Sequence, residues 1–125
     1  MKTSVQIFFE NYAEALLSLS AEKISEHYNV PFTLYSDQGI RQVTKMQETV
    51  AFWKEGIKPY EAQHIEKTIP EIISEEQLSL TTFTCKVLWT NYTRSGKTAG
   101  KETNFYILTQ SNGELKISGL IIMAQ

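Results

Sequence analysis

Apolar positions near the start of the chain repeat with the period of a helix. They recur at spacings of four, three, four and three residues, which predicts one stripe of an amphipathic helix. The residues of this stripe are Val5, Phe9, Tyr12, Leu16 and Leu19. The segment TSVQ ahead of it has the spacing of a capping box, so Thr3 is the predicted N-cap.

Two further helices and a small hairpin follow. Ser20 is the predicted cap of a short second helix that runs through Tyr28 and ends before Pro31. The turn chemistry of SDQG predicts a hairpin after it. A third helix is expected from Thr44 to Gly56. Its predicted buried stripe consists of Met46, Val50, Trp53 and Ile57.

From Glu61 onward the pattern is that of β-strands. Four runs are predicted, one from Glu61 to about Ile73 and the others over about 78–92, 98–110 and 114–123. Asn112 followed by Gly113 is a strong hairpin signal between the last two. Pro70 cannot donate a hydrogen bond to a neighbouring strand, so the first of the four runs is expected at a sheet edge.

The alternation of apolar residues changes phase within the run from Leu78 to Tyr92. Leu78 and Leu80 are apolar at even positions, whereas Phe83 and the following apolar residues occupy odd positions. An extra residue near Thr81 would keep one face on the core, which predicts a β-bulge there. Because bulges bend sheets, the pattern favours a curved sheet that encloses a cavity.

Two late strands are apolar on both faces. Residues 105–108 and 120–123 are consecutively apolar or aromatic, so both sides of the sheet must be covered there. Three helices can cover one side, and few residues remain for the other. An uncovered apolar face of this kind marks a subunit interface, which predicts a homodimer through the sheet.

Composition narrows the class of protein. The 125 residues are expected to form a single domain, 1–125. The net charge of −2 does not predict a surface that binds nucleic acid or an anionic membrane. Cys85 is the lone cysteine, and Glu10 interrupts the N-terminal apolar segment, so a cytoplasmic protein is expected. His27 and His64 lack clustered carboxylates, so neither a metal nor another cofactor is predicted.

The order of elements resembles the nuclear transport factor 2-like superfamily, which includes ketosteroid isomerases, SnoaL-like polyketide cyclases and scytalone dehydratase. The resemblance rests on FFENYAEALLSLSAEKISEHYNVPFTLYSDQG, on the third helix and on NFYILTQSNGELKISGLI, and it covers essentially the whole chain. It implies an α+β, cystatin-like cone in which three helices in the N-terminal half pack on a strongly curved mixed β-sheet. It also implies a pocket between helices and concave sheet face, and dimerisation through the sheet.

The resemblance to ketosteroid isomerases suggests catalytic candidates. Tyr12 lies in a context similar to that of the oxyanion-binding tyrosine, and Asp37 lies near the position of the general base. Where a second acid is expected, this sequence has Asn104, which can donate a hydrogen bond but cannot act as an acid. The alternatives are a core tyrosine at position 12 and ordinary turn chemistry at position 37.

The aromatic and apolar residues give the stronger indication of function. A cavity lined by even half of them would take a hydrophobic small molecule. The predicted lining consists of Tyr12, Leu16, Tyr28, Phe32, Leu34, Trp53, Tyr60, Trp89 and Tyr106. Two hypotheses follow: a small-molecule-binding domain with SnoaL-like isomerase, cyclase or dehydratase activity, or a non-enzymatic dimerisation or interaction module whose cone is filled by these side chains.

Overall fold

A computed structural model describes residues 1–123, which contain four helices and one large sheet. The elements within these residues are α1 (Ser4–Leu17), α2 (Ala21–Ser25), β1 (Tyr28–Ser36), β2 (Gly39–Val43), α3 (Met46–Gly56), α4 (Lys58–Ala62), β3 (Ile65–Gln77), β4 (Thr82–Thr93), β5 (Thr98–Ser111) and β6 (Glu114–Ile122). The strands form one six-stranded sheet in the order β2-β1-β6-β5-β4-β3. β1 and β6 are parallel and all other neighbours are antiparallel, so the predicted mixed α+β architecture is confirmed.

The first helix begins as its sequence predicts. The backbone N–H of Gln6 donates to the Thr3 hydroxyl at 3.1 Å, and the backbone N–H of Thr3 donates to the Gln6 side chain at 2.8 Å. These two bonds satisfy donors that a helix start otherwise leaves free. The first four residues of the predicted stripe are buried, whereas Leu19 lies beyond the helix end with a φ of 57° and is 38% exposed.

The boundaries of the second and third helices differ from prediction by a few residues. α2 ends at Ser25, because the next backbone segment joins the sheet: the Ile117 N–H donates to the His27 carbonyl at 2.8 Å. α3 begins at Met46, two residues later than expected, and its N-cap is Lys45. The Glu48 carboxylate accepts the Lys45 backbone N–H at 3.1 Å, and this hydrogen bond stabilises the first turn of α3. Met46 is exposed.

The bulge predicted near Thr81 is wrong. Residues 78–81 form the turn between β3 and β4, and Leu78 and Leu80 are 58% and 88% exposed. The alternation changes phase there because the two leucines belong to a turn and not to a strand. Pro70 lies on β3, which is an edge strand as predicted.

Bulges occur at other positions in the sheet. β3 has two bulges, at residues 65–67 and 72–74, and at each of them three residues of β3 lie opposite two residues of β4. β5 and β6 each have one extra residue, Ala99 opposite β4 and Ser118 opposite β5. An extra residue on one strand increases local bend and twist. These bulges give the sheet one concave face, which α1 covers, and one outer face.

Candidate functional site

A cavity of about 500 Å³ lies between the helices and the concave face of the sheet. Its deep wall, the closed end, is formed by Tyr12, Leu16, Trp89, Tyr106 and Leu120. Its mouth, the open end, lies where α3 and α4 approach the start of β5. The open end consists of Phe52, Trp53, Gly56, Pro59, Tyr60, Gln63, Ala99, Gly100, Lys101 and Glu102.

Two tyrosine hydroxyls meet at the closed end. The hydroxyl oxygens of Tyr12, on the buried stripe of α1, and Tyr28, at the start of β1, are 2.7 Å apart. The Tyr12 ring also packs edge-on against Trp89 at a centroid distance of 5.9 Å. Because both hydroxyls are buried, this bond satisfies polar atoms that would otherwise destabilise the fold.

A second polar pair crosses from β4 to β5. The Trp89 indole N–H donates to the Tyr106 hydroxyl at 2.9 Å. Phe9 of α1 covers the Tyr106 ring in a T-shaped contact at 4.9 Å between centroids. The closed end is therefore an aromatic cluster whose polar atoms bond mainly to one another.

Burial controls the ionisation of these phenols. It raises the pKa of Tyr12, Tyr28 and Tyr106 well above the ordinary value, because a phenolate would lose its hydration. Burial, with a smaller contribution from the Glu102 charge, raises the pKa of Tyr60 to about 12. All four phenols therefore carry their protons at neutral pH and can act as hydrogen-bond donors.

Two polar atoms on the cavity wall lack a hydrogen-bond partner. The Asn104 Oδ1 atom is buried and no donor reaches it. The Asn104 side chain also interacts with the Tyr106 hydroxyl, which partly opposes the rise in the pKa of that phenol. The Trp53 Nε1 atom lies near the Tyr28 hydroxyl without reaching hydrogen-bond geometry. An unpaired buried polar atom is costly, so a partner from outside the chain would stabilise it.

Glu102 was not among the residues predicted from sequence. It shares the concave face of β5 with Asn104 and Tyr106, since residues two apart point to the same side of a strand. Its Cα is paired with that of Trp89 on the neighbouring strand. The same two-residue spacing is visible in the sequence as Glu102, Asn104 and Tyr106, and it could have been used to find this carboxylate.

The predicted lining residues are divided between the cavity and the core behind it. Tyr28, Phe32 and Leu34 were expected on the wall, but they lie behind it, because β1 is separated from β5 by β6. The others contact the cavity as expected: Tyr12, Leu16, Trp53, Tyr60, Trp89 and Tyr106.

The three catalytic candidates are not brought together. Tyr12 and Asn104 both line the cavity. Asp37 is exposed in the turn between β1 and β2, outside the cavity lining, and in that turn the Ser36 hydroxyl accepts the Gln38 backbone N–H at 3.2 Å. A site in which Tyr12 and Asp37 face one ligand is therefore not formed.

Three other reactive side chains lie outside the cavity lining. Burial raises the pKa of Cys85 to about 12, so its thiol stays protonated at neutral pH. His27 packs against the Phe8 and Tyr12 rings, with its Nδ1 3.1 Å from the Lys23 carbonyl, so it is half-buried. His64 is exposed with a φ of 52°.

The open end also depends on a helix that the sequence reading missed. α4 begins with Pro59 in its first turn, where proline suits a helix start, and it carries Tyr60 and precedes Gln63 on the rim. Sequence reasoning assigned Glu61 and the residues after it to a strand. Among residues 1–123, no group of three His, Cys, Asp or Glu side chains could hold a metal, and no helix is long and apolar enough to cross a membrane.

Solved structures share this architecture at low sequence identity. An NTF-2 like protein of unknown function from Shewanella oneidensis MR-1 is 15% identical, covers 94% of each chain and has a TM-score of 0.74. A domain with a cystatin-like fold from Nostoc punctiforme is 13% identical, with 97% of this chain and 75% of that chain covered and a TM-score of 0.74. A scytalone dehydratase-like protein from Novosphingobium aromaticivorans is 13% identical, covering 98% and 82%, at a TM-score of 0.70. These similarities establish the fold alone.

The sequence itself matches a family over almost its full length. No curated protein matches the chain. Residues 2–124 match the family described as NTF2-like protein (DUF6841), in agreement with the mixed curved sheet and the helices on its concave face. The chain belongs to this NTF2-like family.

Proposed function

We propose that the protein binds an apolar, aromatic small molecule in the cavity. The observation that carries this proposal is the unpaired Asn104 Oδ1, buried on the wall of an aromatic cavity of about 500 Å³. Small-molecule sites have this character: mostly apolar walls, a few polar atoms that orient the ligand, and a volume of roughly 300–1,000 Å³. A ligand donor placed at Asn104 would satisfy the orphaned oxygen.

The alternative is an interaction module whose cone is filled by its own side chains. The space between Tyr12, Trp53 and Tyr106 argues against this alternative, because a filled cone would leave no room of ligand size. The cavity opens to solvent between α3, α4 and the start of β5, so a small molecule would have a route into this space.

For isomerase, cyclase or dehydratase chemistry in this cavity, the side chains have unequal roles. The protonated phenols and the Asn104 amide would polarise a ligand carbonyl as donors. Proton abstraction would require a base, and Glu102 is the carboxylate on the cavity lining. The proposal is therefore binding first, with turnover as the second candidate.

Thermal denaturation in the presence of ligands tests the binding proposal. Steroids, polyketide-like aromatics and fatty acids are added in turn, and at least one class is expected to raise Tm. Gly100→Trp is the blocking variant, because a Cβ at Gly100 meets no atom within 4 Å and Gly100 lies at the open end. It should weaken binding at least about tenfold, or about 1.4 kcal/mol.

Lys97→Trp is the matched control, since Lys97 is exposed in the neighbouring turn and lies outside the cavity lining. It should leave the Tm shift unchanged. If no compound raises Tm, or if Gly100→Trp binds as well as the wild type, the cavity is not the binding site and the filled-cone module is favoured instead.

We also propose that two copies associate through the outer face of the sheet. Leu88, Phe105, Ile107 and Ile121 point to this face and are only partly buried in the monomer. Burying such a patch against its own copy would remove apolar surface from water. The protein is expected to sediment as a dimer at micromolar concentration, and Leu88→Lys to sediment as a monomer that still binds the cavity ligand. A monomeric wild type would refute the proposal.

A further inference from the structure

Two acceptors on the cavity wall, the Asn104 Oδ1 atom and the Glu102 carboxylate, are candidates to hold a charged ligand group. The phenol hydroxyls of Tyr12, Tyr28 and Tyr106 are engaged with one another or with Trp89. The Asn104 Oδ1 atom has no donor, and the Glu102 carboxylate lies two residues away on the same face of β5. Residues two apart on a strand are about 7 Å from each other, so one ligand group can lie between these two acceptors.

The Glu102 carboxylate forms no ion pair within residues 1–123. The four ion pairs within residues 1–123 all use other glutamates, namely Glu10, Glu55, Glu66 and Glu114. Lys101 is adjacent in sequence and borders the cavity mouth, but consecutive side chains of a strand point to opposite faces. Lys101 is exposed and takes part in none of these four ion pairs.

Aromatic rings surround this carboxylate. Trp89 is its cross-strand partner on the same face, and Trp53, Phe52 and Tyr60 complete the wall at the open end. The Glu102 charge contributes to the raised pKa of Tyr28, Tyr60 and Tyr106, so its field extends into the cavity. Aromatic faces and a carboxylate both attract a cation, and the attraction increases where water is excluded.

We propose that the cavity selects a protonated amine attached to an aromatic or apolar body. The ammonium group lies between Glu102 and Asn104, donates to both, and is covered by the rings of Trp89 and Tyr60, while the apolar body fills the space toward Leu16 and Leu120. This inference rests on the proposed binding function. It predicts that an ammonium ligand binds more tightly than a neutral compound of the same shape, and that a carboxylate ligand binds most weakly.

Three naphthalene compounds of similar shape test the inference by isothermal titration calorimetry. They are 2-(1-naphthyl)ethylammonium, 2-(1-naphthyl)ethanol and 1-naphthylacetate. The ammonium compound should bind about tenfold more tightly than the alcohol. Glu102→Gln should remove this difference. Glu76→Gln, at an exposed position of β3 outside the cavity, is the matched control and should retain it.

A salt titration of the wild type gives the same information without a variant. Raising NaCl from about 50 to about 500 mM should weaken the ammonium complex and not the alcohol complex, because salt screens a partly exposed ion pair. Equal affinity of the two compounds, or a preference that survives in Glu102→Gln, overturns the inference and leaves the binding proposal standing. If none of the three compounds binds and no other apolar ligand raises Tm, both proposals fall.

Discussion

The closed and open ends of the cavity differ in how their polar atoms are satisfied. At the closed end, the Tyr12 hydroxyl pairs with Tyr28 and the Trp89 indole pairs with Tyr106. At the open end, the Glu102 carboxylate has no counter-ion among the ion pairs of residues 1–123. A fully paired polar cluster stabilises a fold, whereas unpaired groups are available to a ligand.

The two ends also differ in packing. The aromatic side chains of the closed end are almost completely buried, whereas α4 at the open end contributes no buried residue. Stability should therefore depend chiefly on the closed end, and recognition on the open end. Substitutions at each end can separate these two contributions.

The largest expected effect is that of Phe9→Ala. Phe9 is 1% exposed and its ring packs against Tyr106 and Trp89, so truncation leaves a void at the closed end. The free energy of unfolding should fall by about 4 kcal/mol. Urea denaturation measures it, with Ile7→Ala as the control because Ile7 is 47% exposed on the same helix. A loss of similar size in both variants would contradict the comparison.

The second effect is a loss of stability in alkali. The raised pKa values of Tyr12, Tyr28 and Tyr106 mean that the folded state keeps protons that the unfolded chain releases near pH 10. Their contribution is complete below that pH and is lost as pH rises. Between about pH 10 and about pH 11 each should cost about 1 kcal/mol. Urea unfolding of the wild type and Tyr106→Phe measures the slope, which should be shallower in the variant.

The third effect concerns the hydroxyl pair. Tyr12→Phe leaves the Tyr28 hydroxyl without its 2.7 Å partner and should cost about 1 kcal/mol of unfolding free energy. Tyr28→Phe should cost a similar amount, and the double variant little more than either alone. Additive losses would mean that the two hydroxyls do not act as a pair. Tyr35→Phe, on an exposed residue, is the control.

The smallest effect is expected for Gly56→Ala at the open end. A Cβ at Gly56 would lie 2.8 Å from the Trp53 ring, so the indole must shift while the rest of the fold stays in place. Unfolding free energy should change by less than about 1 kcal/mol, because alanine favours a helix and the contact opposes it. Near-ultraviolet circular dichroism and ligand affinity should both change. An unaltered affinity would show that Trp53 does not shape the mouth.

Local signals in the sequence correctly predicted the start of the first helix and the edge position of β3. The capping box at Thr3 and Gln6 depends on residues three apart, so it can be read without any knowledge of the tertiary fold. The edge position of β3 follows from the missing N–H of Pro70 in the same way. Such features need only neighbouring residues.

The remaining features depend on contacts between distant segments. Leu78 and Leu80 are apolar yet exposed, so hydrophobic alternation alone could not separate a turn from a bulged strand. The placement of Asp37 outside the cavity follows from the position of β2 at the far edge of the sheet. The position of Glu102 beside Trp89 depends on the pairing of β5 with β4, which joins residues distant in the sequence.

The positions of the tryptophans have a practical consequence. The chain has two tryptophans, and they mark the two ends of the cavity. Trp89 is buried with its indole N–H bonded to Tyr106, whereas Trp53 is partly exposed and unbonded. Their emission should differ in wavelength, so the protein carries one built-in fluorescent reporter for folding and another for occupancy of the mouth.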